Sequence, residues 1–594
     1  MILQALYNYY QRKKDILPQP GFESKELKFV IVINNQGGFI DLEDLRENKK
    51  GKEYILPKSV GRTGKNSWQT AFLLWDHTGF VLAHSKDTTP ASIEMAKKQN
   101  KTFVERIKNC PDSVKNDEGV KAVLLFYSSN QIENVKNHSI WPDCAKIPGC
   151  NISFRLDGDY ALIPQRDIVV DYQKSITNEM TDSEEQDTKI AACLITGNKG
   201  PVVRLHNSTS IIGAKSGAKL VSFQKSSGFD SYGKEQAFNA PVSVLAESAY
   251  TTALKYLINS KTNKKIIADT TILFWSDKIS DVINAEEVFS WVISAQKVNE
   301  DNPDKGVQVI DSLFDSIFTG AISKEKTNHF YVLGLAPNAA RISVRFWKTP
   351  SVEEFGLNIK KHFDDFEIIH GPEEHKHLSL YQILSATAFE YKMDKVIPNL
   401  ASSVIESIID GTQYPQTLLQ QCMRRIRAEQ KINRSRAAIL KAYLNRFNRV
   451  HKKNQSEVTV SLDKTNINPG YLLGRLFSVL ERVQNASNNY KEPNAGIRDR
   501  FFGAFSTSPI SVYPILEKLY GHHLRKVEKS KVYFERLKGE IMDKIDAQNI
   551  PAHLSMEQQA LFSLGYYHQK QDFFNKKDTD EQENIITNNE DKGE

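Results

Sequence analysis

The segment MRRIRAEQKINRSRAAILKAYLNRFNRVHKK contains the side chains best suited to contact a polyanion. Residues 421–453 include eleven lysines and arginines but one acid, Glu429. If residues 424–450 form a single helix, several of these bases fall within about one third of its circumference. Bases interleaved with asparagines suit a phosphate backbone. We therefore predict nucleic-acid contacts from Arg424, Arg425, Arg427, Lys431, Arg434, Arg436, Lys441 and Arg446. The alternative is a solvated helix neutralised by acids from elsewhere in the chain.

The loop around SVGRTGKNSW is the second candidate site, and it resembles a nucleotide-binding P-loop. That motif needs a glycine at a set distance before Gly-Lys-Ser/Thr. Ser59 stands in place of the first glycine and Asn66 in place of the hydroxyl residue, so nucleotide hydrolysis is not predicted. Polar side chains of this kind suit phosphates and base edges. We predict a motif-reading loop formed by Arg62, Lys65, Asn66 and Gln69, with a solvated turn between two strands as the alternative.

Acids, histidines and cysteines show no spacing that predicts a catalytic or metal site. Asp76-His77 and His522-His523 are isolated pairs, whereas a metal nuclease needs several ligands that converge on its ions. Cys144 and Cys150 have no second pair nearby, so we expect isolated thiols rather than zinc ligands. The motifs of serine hydrolases, kinases and zinc proteases are absent from the sequence. These observations favour a protein that is not an enzyme and uses no metal or cofactor.

Length and composition restrict the class of protein. The chain has 594 residues, which predicts about two to four domains. It has no apolar run long enough to span a bilayer, no signal-peptide pattern at its start and no disulfide framework among its five cysteines. We therefore expect a cytoplasmic protein with reduced thiols. The net charge is +6, although the last twenty residues hold seven acids and three lysines. The positive charge is concentrated in the basic segment, which indicates a specific anionic partner.

The elements that must position these residues change in type near residue 350. Before it, strand patterns such as KFVIVINNQGGFIDLEDL, KAVLLFYSS and HFYVLGLAPN are interrupted by helical patterns such as SVLAESAYTTALKYLIN. After it, apolar residues recur only at helical spacing. We predict an α+β fold with an irregular mixed N-terminal domain and an all-helical C-terminal region. The predicted parts are a mixed domain (1–350), a helical region with the basic helix (351–466), a helical bundle (467–574) and an acidic disordered tail (575–594).

Longer stretches match one known family in wording and order. They include CLITGNKGPVVRLH and SGAKLVSFQKSSGFDSYGKEQAFNAPVS, followed by INPGYLLGRLFSVLERVQ, AGIRDRFFGAFSTSPISVYPILEKLYGHHLRK and IPAHLSMEQQALFSLGYYHQKQDFF. From about residue 190 to residue 574 the chain resembles the large subunit of the type I-C CRISPR Cascade surveillance complex. GRTGKNSWQTAFLLWD stands where this family has a Gly-Arg-Thr loop. The HTGFVLA that follows departs from the family's Asp-Asn-x-x-Tyr pattern.

The resemblance implies a non-catalytic subunit at the 5′ end of the guide RNA (crRNA) in antiviral defence. It implies recognition of the protospacer-adjacent motif (PAM), help in opening target double-stranded DNA, stabilisation of the R-loop with its displaced strand, and docking of a helicase-nuclease. Further partners would be the backbone, guide 5′-handle and small subunits of Cascade, with no membrane. Two other functions stay open, a metal-dependent CRISPR nuclease and a general RNA-binding assembly factor.

The resemblance also implies a separate small subunit made by internal translation. Here it would cover about Ile467 onward, which makes residues 467–574 a bundle that resembles the Cascade small subunit. No methionine lies between Met423 and Met542, so translation would start at Met423 or at a non-AUG codon.

Overall fold

The structure is a computed structural model. It describes residues 1–59, 62, 66–85, 87–182, 189–215, 217–225, 228, 230, 232–294, 305–339, 341–372, 374–453, 456–490, 495–527, 530–545 and 550–574. Two compact units are present, one of Met1–Ser210 and Gly217–Tyr256, the other of Ile211–Ser216 and the described residues from Leu257 onward. Helices account for 50% of the chain and strands for 14%, and the C-terminal region is mostly helical, which confirms the predicted fold class.

The first unit combines a four-stranded sheet, two small two-stranded sheets and surrounding helices. Its helices are α1 (Ile2–Arg12), α2 (Thr78–Leu82), α3 (Pro90–Lys108), α4 (Asp112–Lys115), α5 (Glu118–Ser128), α6 (Ile132–Lys136), α7 (Trp141–Ala145), α8 (Asp167–Asp182) and most of α9 (Val244–Asn259). Its strands are β1 (Phe22–Leu27), β2 (Phe29–Ile33), β3 (Phe39–Asp44), β4 (Lys52–Pro57), β5 (Trp75–His77), β6 (Asn151–Leu156), β7 (Lys189–Ala192) and β8 (Lys199–Val202).

β2 lies inside the four-stranded sheet, whose order is β3-β2-β6-β5. All five residues of β2 are buried, and it pairs antiparallel with β3 and parallel with β6. Gly37, in the turn that joins β2 to β3, has a φ of +77°, which glycine adopts without a Cβ clash. The predicted strand, glycine turn and second strand are therefore confirmed. β5 begins directly before the Asp76-His77 pair and pairs with β6.

The segment KAVLLFYSS forms helix α5, so its prediction as a strand is wrong. The Asp117 carboxylate caps this helix by accepting hydrogen bonds from two backbone N–H groups of the first turn. Val120, Val123 and Phe126 recur at three-residue spacing and are buried, so the apolar run covers one face of a helix. A short apolar run is compatible with a buried strand or a helix, and the capping residue decides between them.

The second unit combines a four-stranded antiparallel sheet with helices. The strands are β9 (Lys264–Ile267), β10 (Thr270–Ser276), β11 (Phe330–Asn338) and β12 (Arg341–Lys348), in the order β12-β11-β10-β9. The helices are α10 (Ala285–Ile293), α11 (Lys305–Phe318), α12 (Val352–Phe366), α13 (Leu380–Ser385), α14 (Leu400–Asp410), α15 (Gln416–Glu429), α16 (Arg434–Val450), α17 (Pro469–Ser487), α18 (Ile497–Phe505), α19 (Pro509–Leu524), α20 (Lys531–Met542) and α21 (Met556–Asp572).

One hydrophobic core runs through the second unit, from Ile267 in β9 to Tyr567 in α21. The last described strand ends at Lys348, where the sequence predicts the change to helices. Since strands and helices share this core, residue 350 marks a change of secondary structure inside one compact unit. Helices α17 to α21 occupy the residues of the predicted C-terminal bundle, and the predicted acidic tail lies outside the described residues. Within the described chain, no helix is both long and apolar enough to cross a membrane.

Candidate nucleic-acid interface

The basic segment forms two helices rather than one. α15 ends at Glu429, and Gln430 then adopts the left-handed conformation with a φ of +51°. The Asn433 side chain begins α16 by accepting a hydrogen bond from the backbone N–H of Arg436. We call residues 430–433 the helix break. The break interrupts the helix, so the single helix over 424–450, from which the continuous basic face was inferred, is not formed.

α16 lies inside the second unit, and four of the predicted contact residues on it are buried. Arg434 donates to the carbonyl oxygens of His375 and Lys376, at 2.5 and 2.9 Å. The Lys441 ammonium donates to the carbonyl oxygens of two neighbouring aspartates, at 3.1 Å each, and burial lowers its pKa. The four buried residues are Arg434, Arg436, Lys441 and Arg446.

Arg446 and Arg436 hold the largest sets of buried contacts. Arg446 donates to the Asp365 carboxylate at 2.7 Å and to two backbone carbonyls, and its guanidinium lies 4.1 Å from the centroid of the Tyr414 ring. Arg436, which has no exposed surface, donates to the Ala386 carbonyl, the Lys431 carbonyl and the Glu429 carboxylate.

An exposed basic face is therefore the wrong prediction for these four residues. Composition counts charges, but it does not show which carbonyl groups from distant segments close over them. The four buried cations donate to backbone carbonyl groups, and these bonds replace the hydrogen bonds to water that burial removes.

Among the eight predicted residues, the cations of α15 and the helix break are the ones that reach solvent. Arg424 and Lys431 are exposed, and in the described part of the chain their charged groups form no hydrogen bond or ion pair. Arg427 is exposed and donates to the neutral Gln559 side chain. Arg425 is half-buried and lies 3.7 Å from a Glu429 oxygen. Four of the eight predicted residues are therefore accessible, and the acid paired with one of them is Glu429.

An aromatic segment that we did not predict as a site lies beside these cations. We call Phe389–Tyr391 the aromatic turn. Its two rings are 55% and 38% exposed, and the Arg425 guanidinium lies 5.6 Å from the centroid of the Phe389 ring. The Tyr391 hydroxyl accepts a hydrogen bond of 3.2 Å from the side chain of Asn433 in the helix break. Alternation of aromatic and charged residues in FEYKMDK, between two helices, was the sequence signal for this segment.

The loop predicted to read a motif is anchored by a buried ion pair. Both Arg62 terminal nitrogens donate to the Asp76 carboxylate, which is fully buried, and Arg62 Nε donates to the Thr70 carbonyl at 2.6 Å. The Arg62 guanidinium also lies 3.7 Å from the centroid of the Phe72 ring and 4.0 Å from that of Phe80. Arg62 therefore holds the loop in place, and its guanidinium is engaged within the fold rather than presented to a base.

Of the other three predicted residues of this loop, the structure describes Asn66 and Gln69. Asn66 precedes a single helical turn, Ser67–Gln69, and Gln69 ends it; both are exposed, and their side chains form no hydrogen bond within the described residues. Lys65 lies outside the described residues. Two amide side chains thus stand next to a rigid anchor and are accessible to a ligand.

The cysteines and histidines singled out in the sequence are held by contacts within the fold. The Sγ atoms of Cys144 and Cys150 lie 3.8 Å apart, and both residues are buried, free thiols. Burial lowers the pKa of His77, whose Nδ1 accepts a hydrogen bond from a backbone N–H. His523 is bonded to Ser487 at 3.1 Å. Among the residues that the structure describes, no cluster of three or more His, Cys, Asp or Glu has the arrangement to hold a metal ion.

A family model described as CRISPR-associated protein (Cas_Csd1) matches residues 6–574, which is nearly the whole chain. No curated protein matches the chain.

Proposed function

Because the chain belongs to the Cas_Csd1 family of CRISPR-associated proteins, we propose that it is the non-catalytic large subunit of a type I-C Cascade complex. In such complexes the guide RNA reads the target by base pairing, while protein reads a short motif and holds the backbone. The chain recognises the PAM on target DNA, helps to open it and stabilises the R-loop. Its partners are crRNA, the target DNA, the other Cascade subunits and a recruited helicase-nuclease, in the cytoplasm.

The exposed cations at the end of α15 carry this proposal. The charged groups of Arg424 and Lys431 have no partner in the described residues, and Arg427 is hydrogen-bonded to a neutral amide. Arginine and lysine side chains held in this way can neutralise phosphates and release their counterions, whatever the base sequence. Arg436, buried beneath them, ties the helix break to α15, so the surface is held in one arrangement.

Asn66 and Gln69 are the residues that we assign to PAM reading. Amide side chains can donate and accept at base edges in the same contact, which a lysine cannot do. The bidentate bond between Arg62 and Asp76 supports the assignment, because it fixes the backbone next to these two amides.

A gel-shift experiment on the assembled complex tests this function. The full chain is combined with its Cascade partners and a guide RNA, and binding to duplex targets with a library of flanking motifs is measured with Mg²⁺ present. We expect binding that depends on the motif, without cleavage. Cleavage by this chain alone would identify a metal-dependent nuclease instead. Binding that ignores the flanking motif would favour a general RNA-binding assembly factor.

The salt dependence of DNA binding tests the cations directly. Replacing Arg424 and Lys431 by alanine should weaken binding to all sequences to the same degree. It should also lower the slope of log affinity against log salt by about 0.9 for each phosphate that the variant no longer neutralises. Lys101→Ala, which removes an exposed cation of α3, serves as the control and should leave the slope unchanged. An unchanged slope in the double variant would refute phosphate binding at this surface.

A further inference from the structure

We propose that the aromatic turn is a stacking platform for the bases of a single-stranded nucleic acid, with Phe389 and Tyr391 as its two rings. The inference rests on the proposed function and adds which form of nucleic acid this surface takes. The cations of α15 and the helix break bind the phosphates, and the rings bind the bases. A binding site of this kind requires unpaired bases, because the bases of a duplex are already stacked on one another.

The exposure of the two rings is the first observation. Phe389 is 55% exposed, although its neighbour Ala388 and the nearby Val396 are buried in the core of the second unit. The small residues of this segment are therefore inside and the large aromatic ones are outside. Leaving aromatic surface in water forgoes the stabilisation that its burial would provide. Single exposed apolar residues are common, but two rings on one short turn beside arginines form a patch.

The backbone of the turn is the second observation. Glu390 and Tyr391 have φ values of +53° and +57°, so two successive residues with side chains occupy the left-handed region. This conformation costs free energy for residues other than glycine, and it persists where the surroundings determine it. Here it holds the two rings outward on a turn that would relax if no other contact held it.

Arg436 supplies the contacts that hold the turn. Its guanidinium lies 5.2 Å from the centroid of the Tyr391 ring and donates to the carbonyl of Ala386, three residues before Phe389. The same guanidinium donates to the carbonyl of Lys431 in the helix break. The aromatic turn and the exposed cation Lys431 are thus fixed to one buried group. A site that is ordered before binding loses less entropy when the ligand arrives.

The charges around the rings select the ligand. Glu390 is paired with Lys392 at 2.5 Å and Asp394 with Lys395 at 3.5 Å, so the acids of the segment are locally compensated. Arg424 and Lys431 have no such compensation in the described residues. Exposed aromatic rings with uncompensated cations are the two parts of sites that bind single strands, in which rings accept bases of any sequence and cations follow the backbone.

Binding of fluorescent oligonucleotides to the full chain tests the platform. The ligands are a short single-stranded DNA, the RNA of the same sequence, and a matched abasic DNA that keeps the phosphates and lacks the bases. We expect Phe389→Ala to weaken binding of the base-bearing strands about tenfold, and to leave binding of the abasic strand unchanged. Phe389→Trp should retain affinity and Phe389→Leu should lose it, because leucine fills space without a π face.

Phe318→Ala is the matched control. Phe318 ends α11, is 93% exposed and belongs to the same unit, so its removal takes away a similar ring from another surface. Its affinity for every strand should equal that of the unaltered chain. A 2-aminopurine base in the oligonucleotide gives a second readout, since its fluorescence is quenched by stacking and should recover in the Phe389→Ala variant.

Three results would overturn the platform. In the first, Phe389→Ala binds base-bearing strands as well as the unaltered chain does. In the second, it loses affinity for base-bearing and abasic strands by the same factor, which indicates a general disturbance of the surface. In the third, the unaltered chain binds no single strand. None of these results affects the motif-dependent binding of duplex DNA by the complex, so the two proposals can fail separately.

Discussion

Buried arginines stabilise the second unit through ion pairs in its interior. Arg446 and Asp365 are both nearly inaccessible to water, and Arg449 adds a second guanidinium to the same carboxylate. Removing one partner of such a pair leaves an uncompensated charge in the interior, which costs much more than the pair itself contributes. The chain offers a neighbouring aspartate as a comparison, since the Asp364 side chain is 48% exposed and is paired with Lys360 on the surface of α12.

We predict that Asp365→Ala lowers the free energy of unfolding by about 3–5 kcal/mol, because Arg446 stays buried without its carboxylate. Asp364→Ala should change it by less than about 1 kcal/mol, as expected for an exposed ion pair. Urea denaturation followed by circular dichroism measures both. Equal effects of the two substitutions would show that the buried pair is not important for stability.

The loop at Arg62 gives a second prediction at this scale. Arg62→Ala removes the guanidinium from the fully buried Asp76 carboxylate and should destabilise the chain by about 3 kcal/mol. Asn66→Ala should leave stability unchanged and should alter the preference among flanking motifs in the assembled complex. Thermal unfolding and the motif-library gel shift separate the two roles. A stable Arg62→Ala variant, or an Asn66→Ala variant with unchanged preference, would contradict the corresponding role.

The crossing of α17 and α21 is the clearest feature at the scale of elements. Gly470 and Gly474 in α17 and Gly565 in α21 lie against backbone atoms of the opposite helix. A Cβ atom on Gly474 would overlap the Phe562 carbonyl oxygen, and one on Gly565 would overlap the Tyr471 carbonyl oxygen. Gly470 and Gly474 contact Gln558 and Phe562, which follow in the same order along α21. α17 and α21 therefore run parallel, and their backbones are in direct contact at the glycines.

We predict that Gly474→Ala destabilises the chain by about 2 kcal/mol, because the two backbones must separate to admit a methyl group. Gly539→Ala in α20 is the control, since a Cβ there meets no atom within 4 Å. In an open helical position alanine should raise stability by roughly 0.5–1 kcal/mol. Chemical denaturation of both variants measures the difference. A neutral or stabilising Gly474→Ala would show that the helices can part without cost.

Buried histidines make the stability of the second unit depend on pH. Burial lowers the pKa of His568 and of His377 to about 4 and holds that of His362 well below its usual value. His568 Nδ1 and the Tyr471 hydroxyl form a hydrogen bond of 2.9 Å inside the core. Groups whose pKa is lower in the folded than in the unfolded chain stabilise the fold above the unfolded pKa, near 6.5. That stabilisation is lost as pH falls towards 4.

We predict that unfolding of the second unit becomes easier between pH 7 and about pH 5, with His568 alone accounting for about 2 kcal/mol. His568→Asn keeps a side-chain acceptor and does not titrate, so it should remove that share of the pH dependence. His553→Gln, at an exposed histidine, is the control and should leave the dependence unchanged. The measurement is the urea concentration at the midpoint of unfolding, determined for the unaltered chain and both variants at the two pH values. The prediction fails if the Asn variant shows the same acid sensitivity as the unaltered chain.

The sequence by itself determined which stretches are strands and helices in most of the chain, because apolar periodicity is a local property. It also determined the family, through motifs that extend over both units. The local pattern gave a wrong prediction at α5, because a short apolar run is compatible with a strand as well as with a capped helix. Local patterns could not show that Gln430 would end α15, since a left-handed residue at that point is held by contacts from other segments.

Only the tertiary structure decided which cations are accessible. Arg424 and Arg436 look equivalent in the sequence, yet one is exposed while the other is enclosed by the Ala386 carbonyl and the Glu429 carboxylate. Some of the groups that bury a cation, such as the Ala386 carbonyl, come from segments tens of residues away in the chain, and no local pattern records them. For the same reason the proposed platform of Phe389 and Tyr391 could be inferred only from the structure, in which the helix break lies beside the two rings.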